Sequence, residues 1–521
     1  MTKAKLPIGI QNFGKIISNG YTYVDKTRHI YELITRGEYY FLSRPRRFGK
    51  SLLISTLQAI FSGEKQLFNK LWIDSADWEW IKYPIIMLDM SKFANETPEI
   101  FAQTLIDELI NISENYHISV SGRTAPDYLK NLIEKLYKTS GQKVVVLIDE
   151  YDKPLLDQLT DMEIAKANQK ILRAFYTILK AQDEYLRFVF LTGVTQFAKV
   201  NLFSGLNNLT DLSMLDNFNT LLGYTKEELE HYFSDDIQEV AAKNYFTVDE
   251  CYSQIKEWYN GYQFSPSGIC VYNPFSVLNL INSKVFKGHW SETGTPSFLI
   301  DLIKQRHFDL SNLEQISVDL QSFISFDIED LPMLPILYQA GYLTIKSFIP
   351  QINAYSLSFP NREVSQSFSI SLLHSFAKSK AECSKILSEL STNLYTQPWN
   401  DTQFFEIMQK LLALIPYDLY VMDEKYFHSL FYLIIKLAGF QIGAEIHTQQ
   451  GRTDAVLFMK EKVIIFEFKF NANAKKAIEQ IKEKKYYQFF QEKNLPILLV
   501  GVNFNGNQRT IDDWQMEVLS L

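Results

Sequence analysis

The stretch that most constrains this chain runs from Tyr39 to Phe61. An apolar and aromatic run ends at Ser43, a basic loop follows as Arg44-Pro-Arg-Arg-Phe-Gly49, and Lys50-Ser51 opens a segment whose apolar residues recur at helical spacing. A strand that turns through Gly-Lys-Ser into a helix aims backbone N–H groups at one point, and such a point attracts an anion. Lys50 can neutralise charge on β- and γ-phosphates, the Ser51 hydroxyl can complete a Mg2+ shell, and Gly49 lets the backbone approach closely. The loop departs from the Walker A pattern at Arg44, where the first glycine would stand, so a tighter or reoriented backbone is expected there. A basic turn that only caps a helix would read the same way, so a second element has to decide.

That element is Val144-Val-Val-Leu-Ile-Asp149-Glu150, a buried-strand pattern ending in two carboxylates. Asp149 suits the metal shell, and Glu150 suits a base that orients or deprotonates a water beside the γ-phosphate, which is Walker B chemistry. Two more strand patterns, Ile85 to Leu88 and Phe188 to Thr192, alternate with long helical stretches. Parallel strands need long crossovers, so the pattern predicts an α/β fold with a P-loop three-layer parallel sheet. The last strand leads into Gly193-Val-Thr195-Gln196, at the end of the sheet where such folds bind ligands. Thr192 or Thr195 is a candidate γ-phosphate sensor, against the plainer reading of a polar loop. Arg46 and Arg47 either touch phosphate, reach a neighbouring subunit's nucleotide in a homo-oligomer, or are merely solvated.

With 521 residues the chain is too long for one core. A formal net charge of -8 excludes a surface that attracts polyanions everywhere, so phosphate binding has to be local. The 3 cysteines lie far apart with no CxxC, which argues against a zinc or disulfide framework. The N-terminal residues lack a secretion-type apolar region and no long uncharged apolar run follows, so a cytoplasmic protein that does not enter membranes is expected. We place the ATPase core at 1–225. A helical lid and connecting region follows at 226–410, where helical periodicity is broken by loops such as Trp258 to Gly268, and a further domain occupies 411–521.

In that last domain the patterns read as helix Asp423 to Ala438, strand Phe440 to His447, a turn at Gln449 to Arg452, strands Asp454 to Met459 and Val463 to Phe470, helix Ala474 to Gln491 and strand Ile497 to Val502. The order is α-β-β-β-α-β. Strand alternation in Phe466-Glu467-Phe468-Lys469-Phe470 puts Glu467 and Lys469 on one face and the rings on the other. A hairpin brings Asp454 beside Glu467. Two carboxylates can hold a Mg2+ ion, and a neighbouring ammonium can stabilise an attacking hydroxide or a pentavalent phosphate. Gln480 lies on the turn of the next helix that can face this group, and Glu424 or Glu445 supplies a third acid; the sequence does not choose between them. A solvated Glu/Lys pair on an amphipathic strand is the plainer reading of these two residues alone. Lysines outnumber glutamates between Lys460 and Lys485, which suits either a nucleic-acid backbone or a solvated helix face.

Two resemblances sharpen this. Tyr21 to Thr27, Phe41-Leu-Ser-Arg-Pro-Arg-Arg-Phe-Gly-Lys-Ser51 and Val145-Val-Leu-Ile-Asp-Glu-Tyr-Asp-Lys-Pro154 resemble the bacterial AAA-ATPase-like family over the first 290 residues or so. Gly451-Arg-Thr-Asp454, Glu467-Phe-Lys469 and the Ala477 to Tyr487 segment resemble the PD-(D/E)XK nuclease-superfamily domain that accompanies it. The first resemblance implies an additional-strand P-loop fold with Tyr23 to Thr27 near the nucleotide. The second implies a restriction-endonuclease-like domain that hydrolyses phosphodiesters, although members with intact folds can lack demonstrated substrates. The combined expectation is an ATP-binding, ATP-hydrolysing protein coupled to a Mg2+-dependent nuclease-like domain acting on DNA or RNA. The alternatives are a nucleotide-controlled module that binds nucleic acid or protein without cutting it, and an ATPase with an inert C-terminal scaffold.

Overall fold

Short apolar runs with no room for polar alternation can only be satisfied by burial on both faces, and the N-terminal sheet shows this directly. In the computed structural model, β1 (Tyr39–Ser43) and β3 (Val144–Asp149) are buried at every position. They belong to a five-stranded sheet with β2 (Ile85–Asp89), β4 (Leu186–Gly193) and β5 (Thr210–Asp211), in the order β2-β3-β4-β1-β5. All four pairings are parallel. The structure describes residues 4–196, 206, 208–266, 268–290, 299, 316–319, 323, 332–376, 379–396, 399–414, 424–448, 451–459, 461–493 and 495–519.

β4 lies between β1 and β3, so the basic loop and the acidic strand end are separated by one strand. The register through β4 nevertheless brings their carboxyl ends level: Ile148 pairs with Leu191, and Ser43 with Gly193. β5, at two residues, is too short to leave a periodic trace in the sequence. Helices Pro98–Asn115, Ala125–Ser140 and Met162–Ala181 pack on one another, while Lys50–Phe61 packs on β3. Side-chain caps set where several begin, with Thr97 accepting from Ile100 N and Asp161 from Ile164 N.

Beyond the sheet, helices Lys226–Lys243 and Val248–Tyr259 each open with a capping box, Thr225 with Glu228 and Thr247 with Glu250. With Pro274–Ser283 they close on a core that includes Leu229, Phe233, Ile237, Cys251, Ile255 and Ile281 and takes in Val24 from the N-terminal segment. The region expected to be mainly helical also holds a small sheet of β6 (Ile316–Asp319), β7 (Thr344–Ile349) and β8 (Ala354–Ser358), in the order β6-β8-β7. Its hairpin turns on Asn353, a non-glycine residue at φ 49°, so no glycine signal announces it.

The chain divides into a unit formed by Met1–Thr293 and Ser317–Val364 and a second unit that contains Ser365–Leu521. The second carries a mixed sheet of β9 (Gln441–Thr448), β10 (Gly451–Phe458), β11 (Val463–Phe470), β12 (Ile497–Asn505) and β13 (Thr510–Leu519), in consecutive order with only β11 and β12 parallel. Phe427 and Phe431 of helix Glu424–Leu437 meet the ring face of β11, with Phe431 5.0 Å from Phe466 and 4.9 Å from Phe468. Ile478 and Ile481 of helix Ala474–Glu483 cover the opposite face beside Ile465, Leu499 and Val456. Several boundaries differ from the sequence reading, and β12 runs on to Asn505 rather than ending at Val502. That helix stops at Glu483 because Lys485 adopts φ 46°, and Tyr486–Lys493 is a 3-10 segment. A further strand, β13, pairs antiparallel with β12; its outer positions are polar and mask the alternation. The turn expected at Gln449 and Gln450 lies outside the described residues; Gly451 and Arg452 already belong to β10. Among the described residues no helix is long and apolar enough to cross a membrane.

Candidate nucleotide and metal sites

In the first unit the helix that follows the basic loop starts on Gly49, held at φ 95° and ψ 22°, a conformation that a side chain resists. Lys50 is buried, and its Nζ donates to Arg44 O at 3.0 Å and Pro45 O at 3.1 Å. Burial lowers its pKa, while Asp149, Glu150 and Asp152 act to keep it charged. Asp149 and Glu150 are pushed the other way: burial raises both carboxyls, and this is opposed by the Ser51 hydroxyl and then Lys50 at Asp149, and by Lys50 and Arg46 at Glu150. Lys50, Ser51, Asp149 and Glu150 thus form one electrostatic group, as their places on the sheet's carboxyl edge require.

Arg44, at the place of the missing glycine, does not face this group. Its guanidinium is fully buried and donates to Ser43 O (2.9 Å), Ser213 O (2.7 Å) and Phe218 O (3.2 Å), with the Phe264 ring 4.1 Å away. Burying a guanidinium costs several kcal/mol, and these carbonyls, the ring and the charge of Asp211 offset that cost. Arg44 is therefore an internal strut of the loop. Arg47 sits at φ 69°, exposed, with its guanidinium 4.9 Å from the Phe275 ring. Arg46 is half-buried and close enough for its charge to act on Lys50 and Glu150.

The Thr192 hydroxyl donates to Leu42 O at 2.9 Å inside the sheet, and that of Thr195 donates to Asp152 at 2.6 Å. Asp152 was not singled out by sequence reasoning, yet it organises the site. Fully buried, it accepts also from Thr195 N (2.7 Å) and Val194 N (3.2 Å), while Tyr151 OH donates to Thr195 O (2.8 Å) and Tyr151 N to Thr192 O (3.0 Å). These bonds weld the turn after β3 to the loop after β4. They also hold Glu150 at φ 51°, a strain on the order of 1–2 kcal/mol for a residue with a Cβ. The signal available in advance was the third acid of Asp149-Glu-Tyr-Asp152 itself.

Tyr23 to Thr27 lies beside the loop. Lys26 Nζ bonds Glu228 at 2.6 Å and Thr220 O at 2.9 Å, and Asp25 accepts from Thr27 and from Trp72 N. Tyr23, Val24 and Lys26 of this segment, with Gly49, Leu52 and Tyr224, line a small, mostly apolar cavity of about 80 Å³.

In the second unit, the β10–β11 register pairs Ala455 with Phe466 and carries Asp454 to the side of Glu467. Asp454 accepts from Phe468 N at 2.7 Å. Glu467 is 1% exposed; Gln480 donates to its Oε1 from the covering helix, and Lys469 Nζ stands 3.4 Å from the same oxygen. All four expected residues converge. Glu467 Oε2 is buried with no hydrogen-bond partner among the described residues, an arrangement that costs about 1–3 kcal/mol unless a cation or proton satisfies it. Burial, reinforced at Glu467 by Asp454, raises the carboxyls to about 6 for Asp454 and about 8 for Glu467. Two carboxylates held together out of water, one of them carrying an orphaned oxygen, fit a divalent cation.

Glu424 opens its helix at an exposed position. Together with His428 and Asp454 it offers donor atoms that all lie within 4.8 Å of one another. His428 was missed in the sequence, where only its spacing of four from Glu424 points to a shared helix face. The Glu445 side chain lies outside the described ones. Tyr486 is a second unforeseen neighbour, buried and hydrogen-bonded to Gln480, so aromatic packing and the site meet there.

Comparison with known proteins agrees with both halves. Residues 7–203 match the family model described as "Predicted AAA-ATPase", and residues 422–514 match that of the PD-(D/E)XK nuclease superfamily. An Azotobacter chroococcum mcd 1 protein, described as "Uncharacterized protein in vnfD 5'region", is 35% identical over 532 residues, covering 100% of both chains. The chain therefore belongs to the AAA-ATPase-like family, with a P-loop α/β N-terminal region and a C-terminal domain of the PD-(D/E)XK nuclease superfamily.

Proposed function

We propose that the protein binds and hydrolyses ATP in its first unit and cleaves DNA or RNA phosphodiesters with a divalent cation in its second. The observation that carries the reading is the convergence of Asp454, Glu467, Lys469 and Gln480 around an orphaned buried carboxylate oxygen. A cation held by Asp454 and Glu467 would polarise a phosphoryl oxygen and lower the pKa of a bound water. Lys469 supplies positive charge beside the attacking oxygen. Gln480 holds the Glu467 carboxylate in one orientation.

In the first unit Lys50 would neutralise phosphate charge, Ser51 and Asp149 would hold a Mg2+ ion that supplies further positive charge there, and Glu150 is placed to take a proton from water. Its raised pKa brings that carboxyl closer to the working range of a base at neutral pH. Asp152 and Tyr151 are positioning residues, since they hold the turn that presents Glu150.

The test uses the full chain. Plasmid and single-stranded DNA and RNA are incubated with Mg2+ or Mn2+, and phosphate release from ATP is followed in parallel. Asp454→Asn and Lys469→Ala are expected to abolish cleavage and keep ATP turnover, and Lys50→Ala to abolish ATP binding. Intact nucleic acid under every condition would overturn the nuclease reading and favour an interaction module.

A further inference from the structure

Helix Glu424–Leu437 packs its rings on β11, yet its first two turns place Glu424 and His428 beside Asp454. His428 Nε2 is 3.6 Å from Glu424 Oε1. Donors bound at about 2.0–2.2 Å to one ion lie roughly 3–4.3 Å apart, so this spacing is that of two ligands sharing a cation. The imidazole is not free to wander, because its ring lies 4.5 Å from that of Phe468, whose own N–H fixes one oxygen of Asp454. A plain His–Glu ion pair on a helix surface is worth at most about 1 kcal/mol and gives no reason for a third donor to converge. Next to Asp454 across the β10–β11 pair, the buried Glu467 presents its unsatisfied Oε2, an independent sign that a cation belongs at this edge of the sheet.

We propose that Glu424, His428 and Asp454 form a divalent-cation position of mixed nitrogen and oxygen donors, adjoining Glu467 through Asp454. The inference rests on the nuclease-type reading of Asp454 and goes beyond it in the identity of the metal. Mg2+ takes oxygen ligands and keeps its water, whereas imidazole suits first-row transition cations. The site therefore selects a cation such as Mn2+ over Mg2+, with His428 as the selecting residue.

Mn2+ is titrated into nucleotide-free full-length protein, with the free ion followed by electron paramagnetic resonance and the bound ion by its nitrogen-14 spin-echo modulation. The wild type is expected to show modulation from a directly bound imidazole. His428→Ala should lose it and bind Mn2+ about tenfold or more weaker, with Mg2+ competition changed less than about threefold. Glu424→Gln, at an exposed position outside the core, should weaken Mn2+ binding similarly and serves where His428→Ala does not fold. Bound Mn2+ without nitrogen modulation in the wild type, or modulation that survives in His428→Ala, overturns the proposal. If Asp454→Asn and Glu467→Gln leave Mn2+ affinity untouched, the nuclease-type reading falls with it; if they weaken it and His428→Ala does not, only this inference falls.

Discussion

Removing divalent cations makes the second unit a pH-sensitive structure, and the sense follows from its two carboxyls. Glu467 is raised from the ordinary 4.5 to about 8, and Asp454 from 3.8 to about 6. The folded state therefore keeps protons that the unfolded chain has already released. Stability is full below the unfolded values and is lost as pH climbs through the folded ones. A tenfold difference in proton affinity between the two states is worth about 1.4 kcal/mol, so between pH 6 and 8.5 Glu467 alone removes at most about 3 kcal/mol, and relaxation around the pair makes roughly 2 kcal/mol the working figure. For a unit of this size that is a fall of roughly 4–8 °C in the unfolding midpoint. The assay is a thermal melt in EDTA across that range, read on the second unit's transition. Mn2+ or Mg2+ should restore the midpoint at pH 8.5, and Glu467→Gln should flatten the profile, since a neutral amide still accepts from Gln480. A midpoint that holds steady or rises between pH 6 and 8.5 in the metal-free wild type, or a Glu467→Gln protein that falls as steeply, refutes the reasoning.

Three further outcomes follow from the first unit. Asp152→Ala leaves the donors of Val194 and Thr195 without their carboxylate, so urea unfolding should lose about 3–5 kcal/mol and ATP turnover should fall; a change under about 1 kcal/mol would mean that the weld between β3 and β4 is unimportant. Gly193→Ala puts a Cβ 2.5 Å from Asp152 Oδ1 and Tyr151 Cδ1, and is expected to cost about 1–3 kcal/mol in the same assay with reduced turnover; wild-type stability would show that this turn yields easily. Arg44→Gly restores the familiar loop pattern yet strips three carbonyls of their donor, so calorimetry should find a lower melting temperature and no tighter ATP binding; a stabilised variant would contradict the strut role.

The basic loop before Lys50, the acidic strand end and the Glu467/Lys469 face were legible in the sequence, because each is local. A strand-to-helix turn carries its own Gly-Lys-Ser, and alternation on one strand decides which side chains share a face. Even the pairing of Asp454 with Glu467 needs only a short hairpin. Arg44 shows the limit of such reading: its sequence position suggests a tighter or reoriented loop, while its direction is decided by carbonyls at Ser213 and Phe218, far along the chain. The same holds for Asp152, whose partners lie in the loop after a different strand, and for His428, whose approach to Asp454 depends on how a helix seats its phenylalanines on β11. Strand order, the closing β13 and the partners of these three residues were decided by tertiary packing. Periodicity encodes which face of an element is apolar, but only burial against a partner selects the neighbour that a polar side chain will meet.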